Sequence, residues 1–345
     1  MSQTMRIPHI DSLRGVAVLL MVMVHAAATW NPYEQVQLTP LAYIVSGLGG
    51  LAAPLFVALF GWGLAMSTMT LRQRLSQAGF LLMAQIAVNL ASPHLFNIFT
   101  PGVLSLMSML TLILPPLFTR INIADIRVFT SLVGITFAAQ LLLTESLGTG
   151  IWSDHIDDGS LGIIFSNLLL TGTYPLFPWF IFALLGATIS QQQTTPGYSL
   201  VGTANVKIAV VTGIVFCLAT FVYSQVNDLL WAHPTSNAML TFFPANPSFL
   251  VAGMTGVLLL WLIIQRFEFP FLNSTGKLSL TIYLVHFIPL TLMRDLSATH
   301  QWGLQMSTVA VLLYTVAWIP LAALWLRYCP RASAETLLRA IRKSL

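Results

Sequence analysis

Charge is scarce in this sequence: of 345 residues only 8% are Asp, Glu, Lys or Arg, 15 of them basic and 11 acidic. A soluble domain carries about 25%, so a water-covered globule is excluded, as is an unfolded polar chain. Cysteine is scarcer still. Cys217 and Cys329 are the 2 present, both in apolar or membrane-edge segments, which excludes a disulfide scaffold. There is no low-complexity tract, no strong internal repeat and little polar linker; Gln192 to Gly197, within 192–205, is the one polar connection of any length. What is abundant is apolar: 56% of residues are hydrophobic, with 21 Phe and 9 Trp. The chain reads as an all-α, polytopic helical bundle embedded in a membrane.

A spanning helix needs about 20 mostly apolar residues, because roughly 30 Å of hydrocarbon is crossed at about 1.5 Å per residue. Ten stretches qualify, near 13–30, 41–69, 75–92, 99–118, 128–145, 175–191, 206–227, 248–265, 276–294 and 304–327. An eleventh, 161–173, is too short and reads as an interfacial or re-entrant piece leading into the next span. With ten spans and the N-terminus in the cytoplasm, all of the 15 basic residues except Arg294 fall inside. Glu34, Glu145, Asp154, Asp157, Asp158, Asp228 and Asp295, of the 11 acids, fall outside. That asymmetry is the positive-inside pattern, so the net charge of +4 reflects orientation and not a nucleic-acid partner. The opening apolar stretch, flanked by Arg6 and Arg14, has no small-residue cleavage site and stays as the first helix. Residues 1–330 form one membrane domain. Residues 331–345 form a cytoplasmic basic amphipathic tail, with Arg339, Arg342 and Lys343 against Leu337, Leu338 and Ile341, suited to anionic lipid.

Ionisable groups inside spans are expensive and mark candidate sites. In the first helix Asp11, Arg14, Val18, Met21 and His25 follow at spacings of three and four and share a face. Arg14 and His25 are eleven residues apart, about three turns and about 16.5 Å of rise. One face thus offers a cation at the cytoplasmic edge and an imidazole toward the outer leaflet. An imidazole can act as base, acid or acyl acceptor, and an arginine can hold phosphate; the plain alternatives are an orientation anchor and an interhelical hydrogen bond. The second cluster is Asn273, Ser274, Lys277, Ser279, Tyr283 and His286, where Ser279, Tyr283 and His286 form a polar stripe on an apolar helix, lining a cavity or bonding another helix. The third is Tyr174 to Trp179, read as interface anchors around Pro175 and Pro178. His94, His155, His233 and His300 show no metal-ligand spacing, and Asp154, His155 and Asp157 read as a solvated cluster; no metal is expected.

These segments resemble the transmembrane acyltransferase superfamily, in the branch related to heparan-alpha-glucosaminide N-acetyltransferase. The resemblance rests on IDSLRGVAVLLMVMVH ending at His25, AAPLFVALFGWGLA (Ala52 to Ala65), PGVLSLMSML (Pro101 to Leu110), YPLFPWFIFALLGA (Tyr174 to Ala187) and GKLSLTIYLVH (Gly276 to His286). It implies a helix bundle that takes acetyl groups from cytoplasmic acetyl-CoA and passes them to a sugar hydroxyl or amine on the far side. On that reading His25 and His286 are catalytic. The CoA phosphates meet Arg14, Arg72, Arg74 and Lys277, with Arg266 nearby, and Asp11, Ser279, Tyr283 and Trp179 contact the acceptor. Leu41 to Ala53 holds neither histidine nor acid, so the reactive imidazole falls to His25. The partners implied are membrane lipid and a sugar or glycan acceptor, in a bacterial inner membrane, with a homodimer compatible. The competing reading of the same polar groups is a transporter or flippase of a small molecule or lipid-linked glycan; a non-catalytic membrane scaffold is the third.

Overall fold

The computed structural model describes residues 7–31, 39–193, 203–235, 238–267 and 269–344. Arg6, Glu34 and most of the polar connection at 192–205 lie outside the described residues. The chain is mostly helical: α1 (Pro8–Thr29), α2 (Pro40–Ala65), α3 (Leu71–Ala91), α4 (Val103–Phe118), α5 (Ile126–Leu142), α6 (Trp152–Ile156), α7 (Leu161–Ser166), α8 (Leu176–Gln193), α9 (Ala204–Val226), α10 (Pro247–Phe267), α11 (Asn273–Lys277), α12 (Ser279–Val285), α13 (Phe287–Leu292), α14 (Leu296–Thr299), α15 (Leu304–Tyr328) and α16 (Ala334–Lys343). Between α9 and α10 two short strands, β1 (Leu230–His233) and β2 (Ala238–Thr241), pair in parallel, a small departure from an all-helical chain.

Among the described residues five helices are long and apolar enough to cross a membrane, and seven spans result if each of two bent pairs counts as one. The other stretches of the expected ten fall short of that length-and-composition test for physical reasons. At 16 and 17 residues, α4 and α5 reach only about 24–26 Å. The 21 residues of α3 are diluted by Arg72, Gln73, Arg74, Gln77, Gln85 and Asn89. The segment after Leu161 continues through a π-helical turn, Asn167–Thr171, into α8 at a 45° bend, while Pro270–Lys277 meets Ser279–Thr299 at 62°. Of the candidate spans α9 and α15 are covered least by protein: Val211, Leu218 and Val222 on α9 and Leu312, Leu313 and Val316 on α15 are exposed. Surfaces of this kind are stable in hydrocarbon and not in water; the protein is integral to a membrane.

Contacts divide the chain into two compact units, Met1–Phe56 with Leu259–Leu337, and Val57–Leu258 with Leu338–Leu345. In the first, α1 buries Ile10, Leu13, Ala17, Val18, Met21 and Val22 against α11 and α15. The first turn of α16 is docked by Glu335. Its carboxylate accepts from Leu280 N (2.7 Å), Thr281 N (3.1 Å) and Thr281 Oγ1 (2.6 Å), satisfying backbone donors that the start of α12 leaves open. The tail expected to lie on lipid is thus held, at this end, by protein.

The second unit pairs α3 with α4. The polar residues that dilute α3 build the loop above it: Gln85 Oε1 accepts from Leu104 N (3.1 Å), Gln85 Nε2 donates to Asn89 Oδ1 (2.9 Å), and Asn89 Nδ2 reaches the carbonyls of Ile98 and Thr100 (2.9 Å each). Where α2 meets α8, a Cβ on Gly186 would lie 1.7 Å from Ala58 O and one on Gly61 2.0 Å from Ala183 O. Backbone approach this close is the small-residue packing of membrane helices.

Candidate active site

The site is set by how α1 lies against the broken helix α11–α12. Ser12 Oγ donates to Asn273 Oδ1 at 2.7 Å. One turn on, Gly15 and Gly276 touch: an added Cβ would come within 2.6 Å of Leu272 O at Gly15 and 1.7 Å of Asp11 O at Gly276, so neither position accepts a side chain. Further along the same face His25 Nδ1 meets His286 Nε2 at 2.9 Å. Ser12 with Asn273 and His25 with His286 share a sequence offset of 261, as do the two glycines. The two segments therefore run side by side in register, and the glycine crossing fixes where the histidines meet.

Hydrogen-bond chemistry then fixes the protons. His286 Nδ1 lies 2.9 Å from Ile282 O, and a carbonyl only accepts, so this nitrogen carries the hydrogen. In the neutral ring Nε2 is then an acceptor, and the partner that donates to it is His25 Nδ1–H. Neutral His25 consequently holds its lone pair on Nε2. The rings stack at 5.2 Å and 15°, with Phe287 tilted against both at 4.6 and 4.0 Å. His286 is fully buried and His25 partly exposed. His286 also sits where α12 ends and α13 begins, and its carbonyl accepts from Tyr314 Oη at 2.5 Å. Trp30 anchors the neighbouring turn through Nε1 to Met293 O (3.0 Å) and meets Trp302 and Tyr314 edge to face.

The remaining expected residues fall into two groups. In the first unit, Asp11 is buried with its Oδ1 3.4 Å from Arg14 Nη1, and Arg14 is about one-third exposed. Lys277 follows Gly276 directly, so Arg14 and Lys277 both flank the glycine crossing. Ser279 is buried at the start of α12, and Tyr283 packs its ring 6.0 Å from His286 and 6.2 Å from Phe56. In the second unit, Arg72 and Arg74 occupy the first turn of α3. Trp179 is fully buried in an aromatic cluster with Tyr174, Phe182, Phe242 and Phe249, at 5.0–5.7 Å. Among the described residues no three His, Cys, Asp or Glu side chains converge as metal ligands.

A family model described as heparan-alpha-glucosaminide N-acetyltransferase, catalytic, matches residues 6–208. The chain belongs to this family. No match to the chain is found among curated proteins. Membership in the heparan-alpha-glucosaminide N-acetyltransferase family makes this a membrane protein of acetyltransferase type. The matched span holds Asp11, Arg14, His25, Arg72, Arg74 and Trp179 and stops before Lys277, Ser279, Tyr283 and His286. The second imidazole is therefore supplied by a segment beyond the matched span.

Several parts of the site escaped the sequence reading. Tyr314 lies in an apolar stretch and Glu335 in the charged tail, and neither position signals its hydrogen bond to His286 O or to the start of α12. The pairing of the histidines had a signal, since Gly15 to His25 and Gly276 to His286 have equal spacing and both close on Val-His. The cluster at Asp154 to Asp157 is corrected: His155 is fully buried, not solvated, with Nδ1 on Thr171 O (2.5 Å) and Nε2 on Thr149 O (2.6 Å). It ties a loop together.

Proposed function

We propose that the protein transfers an acetyl group from acetyl-CoA on the cytoplasmic side of a bacterial inner membrane to a sugar hydroxyl or amine on the other side, with His25 as general base. The observation that supports this is the proton order of the histidine pair, which leaves the lone pair on His25 Nε2. In the reaction the acceptor O–H or N–H gives its proton to His25 Nε2 as its heteroatom attacks the thioester carbonyl. Collapse of the tetrahedral intermediate breaks the carbon–sulfur bond, and the imidazolium returns the proton to the departing thiolate. As His25 becomes cationic, its Nδ1–H bond to His286 becomes charge-assisted and strengthens. His286 is thus a positioning residue that also stabilises charge. Arg14 and Lys277, beside the glycine crossing, are the first unit's candidates for the CoA phosphates, with Arg72 and Arg74 those of the second; Asp11, Ser279, Tyr283 and Trp179 are the acceptor candidates.

The test uses the full chain reconstituted with labelled acetyl-CoA and a panel of amino sugars and glycans. His25→Ala is expected to lower transfer by a factor of about 10²–10⁴ while acetyl-CoA binding, followed by calorimetry, persists. Transfer at the native rate by a folded His25→Ala protein would overturn the assignment. A second reading, a transporter or flippase, draws on the two broken helices, a feature of such proteins. It predicts substrate movement in proteoliposomes without acetyl-CoA.

A further inference from the structure

The loop between α2 and α3 and the end of α16 border an open surface cleft of about 270 Å³ lined by Ser67, Thr68, Met69, Gln73, Arg339, Arg342 and Lys343. Its chemistry is one-sided: three cations, two hydroxyls and a carboxamide line it, with no carboxylate among the described residues. Arg72 and Arg74 flank Gln73 in the sequence and add to the same positive field. The cleft is also built. Gln73 Oε1 accepts from Thr70 N at 3.1 Å while Thr70 Oγ1 accepts from Gln73 N, and Gln73 Nε2 donates to Arg342 O at 3.0 Å. The carboxamide thus locks the start of α3 and the last turn of α16 into one frame.

Within that frame the Arg342 guanidinium points at a thioether, Met69 Sδ at 3.5 Å, a weak acceptor for a full charge. Burial, and behind it the Arg339 charge, press the guanidinium below its ordinary affinity for a proton. Arg339 and Arg342 are three residues apart on one helix face, and like charges so placed repel. Helix-end carbonyls offset part of that cost; a polyanion in the cleft would lower it further and give the Arg342 guanidinium oxygen partners in place of sulfur.

We propose that this cleft is a phosphate-binding site, made by Arg339, Arg342 and Lys343 with Ser67, Thr68 and the start of α3, and that it takes an anionic phosphate ester or a diphosphate. Such a group has two sources here, the nucleotide end of a soluble donor or the headgroup of an anionic lipid. The site stands on phosphate chemistry alone and does not depend on acyl transfer at His25.

The test measures binding to the purified full chain. Pyrophosphate and adenosine 3′,5′-bisphosphate are titrated by calorimetry, and in parallel the protein is placed in nanodiscs with and without phosphatidylglycerol and the lipid retained after delipidation is counted by native mass spectrometry. Arg342→Gln combined with Lys343→Gln is expected to weaken binding of the responding probe about tenfold or more; Arg339→Gln serves as the second variant if the pair unfolds, and Arg294→Gln, at the opposite end of the chain's charge pattern, as the control. A bisphosphate response lost in the variants assigns the site to a nucleotide. Retained phosphatidylglycerol lost in the variants, without a soluble response, assigns it to lipid. Equal behaviour of wild type and both variants toward every probe overturns the site. His25→Ala should bind these probes as the wild type does, so a failure of the acyl chemistry and a failure of this site are told apart.

Discussion

An imidazole works as a base only from the nitrogen that holds its lone pair, and in His25 that nitrogen is set by a chain of donors starting at Ile282 O. Removing the middle of the chain leaves His25 Nδ1–H without its acceptor and frees the ring to turn. His286→Ala is therefore expected to reduce kcat about a hundredfold, with KM for acetyl-CoA unchanged because no phosphate contact is touched. His286→Gln, whose carboxamide oxygen can accept the same hydrogen, should recover a measurable part of that loss. A purely structural His286 would instead lower the amount of folded protein and leave kcat per folded molecule intact in both variants. Both histidines were legible in the sequence as polar residues in apolar stretches, where burial is expensive without a task. Their partnership left one trace, the equal spacing from Gly15 to His25 and from Gly276 to His286, because a hydrogen bond across 261 residues leaves no local periodicity.

Two elements hold the pair in place, and each has its own weak point. At the glycine crossing, Gly276→Ala forces a Cβ to within 1.7 Å of Asp11 O, so α1 and α11 must separate. That overpacking is expected to cost about 1–3 kcal/mol, read as a lower thermal midpoint together with lost transfer; Gly79→Ala, with nothing within 4 Å, should show neither. At the start of α12, Glu335→Ala leaves Leu280 N, Thr281 N and Thr281 Oγ1 without their shared acceptor. A loss of about 1–2 kcal/mol is expected, visible in thermal unfolding, with Glu335→Gln restoring part of it. An unchanged midpoint in Glu335→Ala would show that water replaces the carboxylate at no cost. Helix existence was readable from apolar length, which is why α1, α2, α9, α10 and α15 agree with expectation. Breaks were not, because the 62° bend falls at Leu278, whose backbone leaves the helical region although leucine is an ordinary helix former.

For the molecule as a whole, the open quantity is which side of the membrane each end occupies. The charge asymmetry places nearly every cation inside, but it was counted over ten spans, and five to seven stand on length and composition. Sidedness can be read without deciding that number, because the chain holds 2 cysteines and both are free, Cys329 exposed at the end of α15 and Cys217 partly covered within α9. A Cys217→Ser protein carries a single thiol, next to Arg327 and Arg331. If the basic edge of α15 is cytoplasmic, a membrane-impermeant maleimide added to intact cells leaves Cys329 unlabelled and permeabilisation exposes it. Labelling in intact cells would put α15 the other way up. It would also place the first turn of α16 and the start of α12 that it caps outside, and a cytoplasmic donor would then have to enter from the end of α1 that carries His25, not from the end that carries Arg14. The same experiment thus tests the direction of acetyl transfer, since the Arg14-to-His25 order along α1 gives the reaction its sidedness only if the cationic end faces the compartment that holds acetyl-CoA.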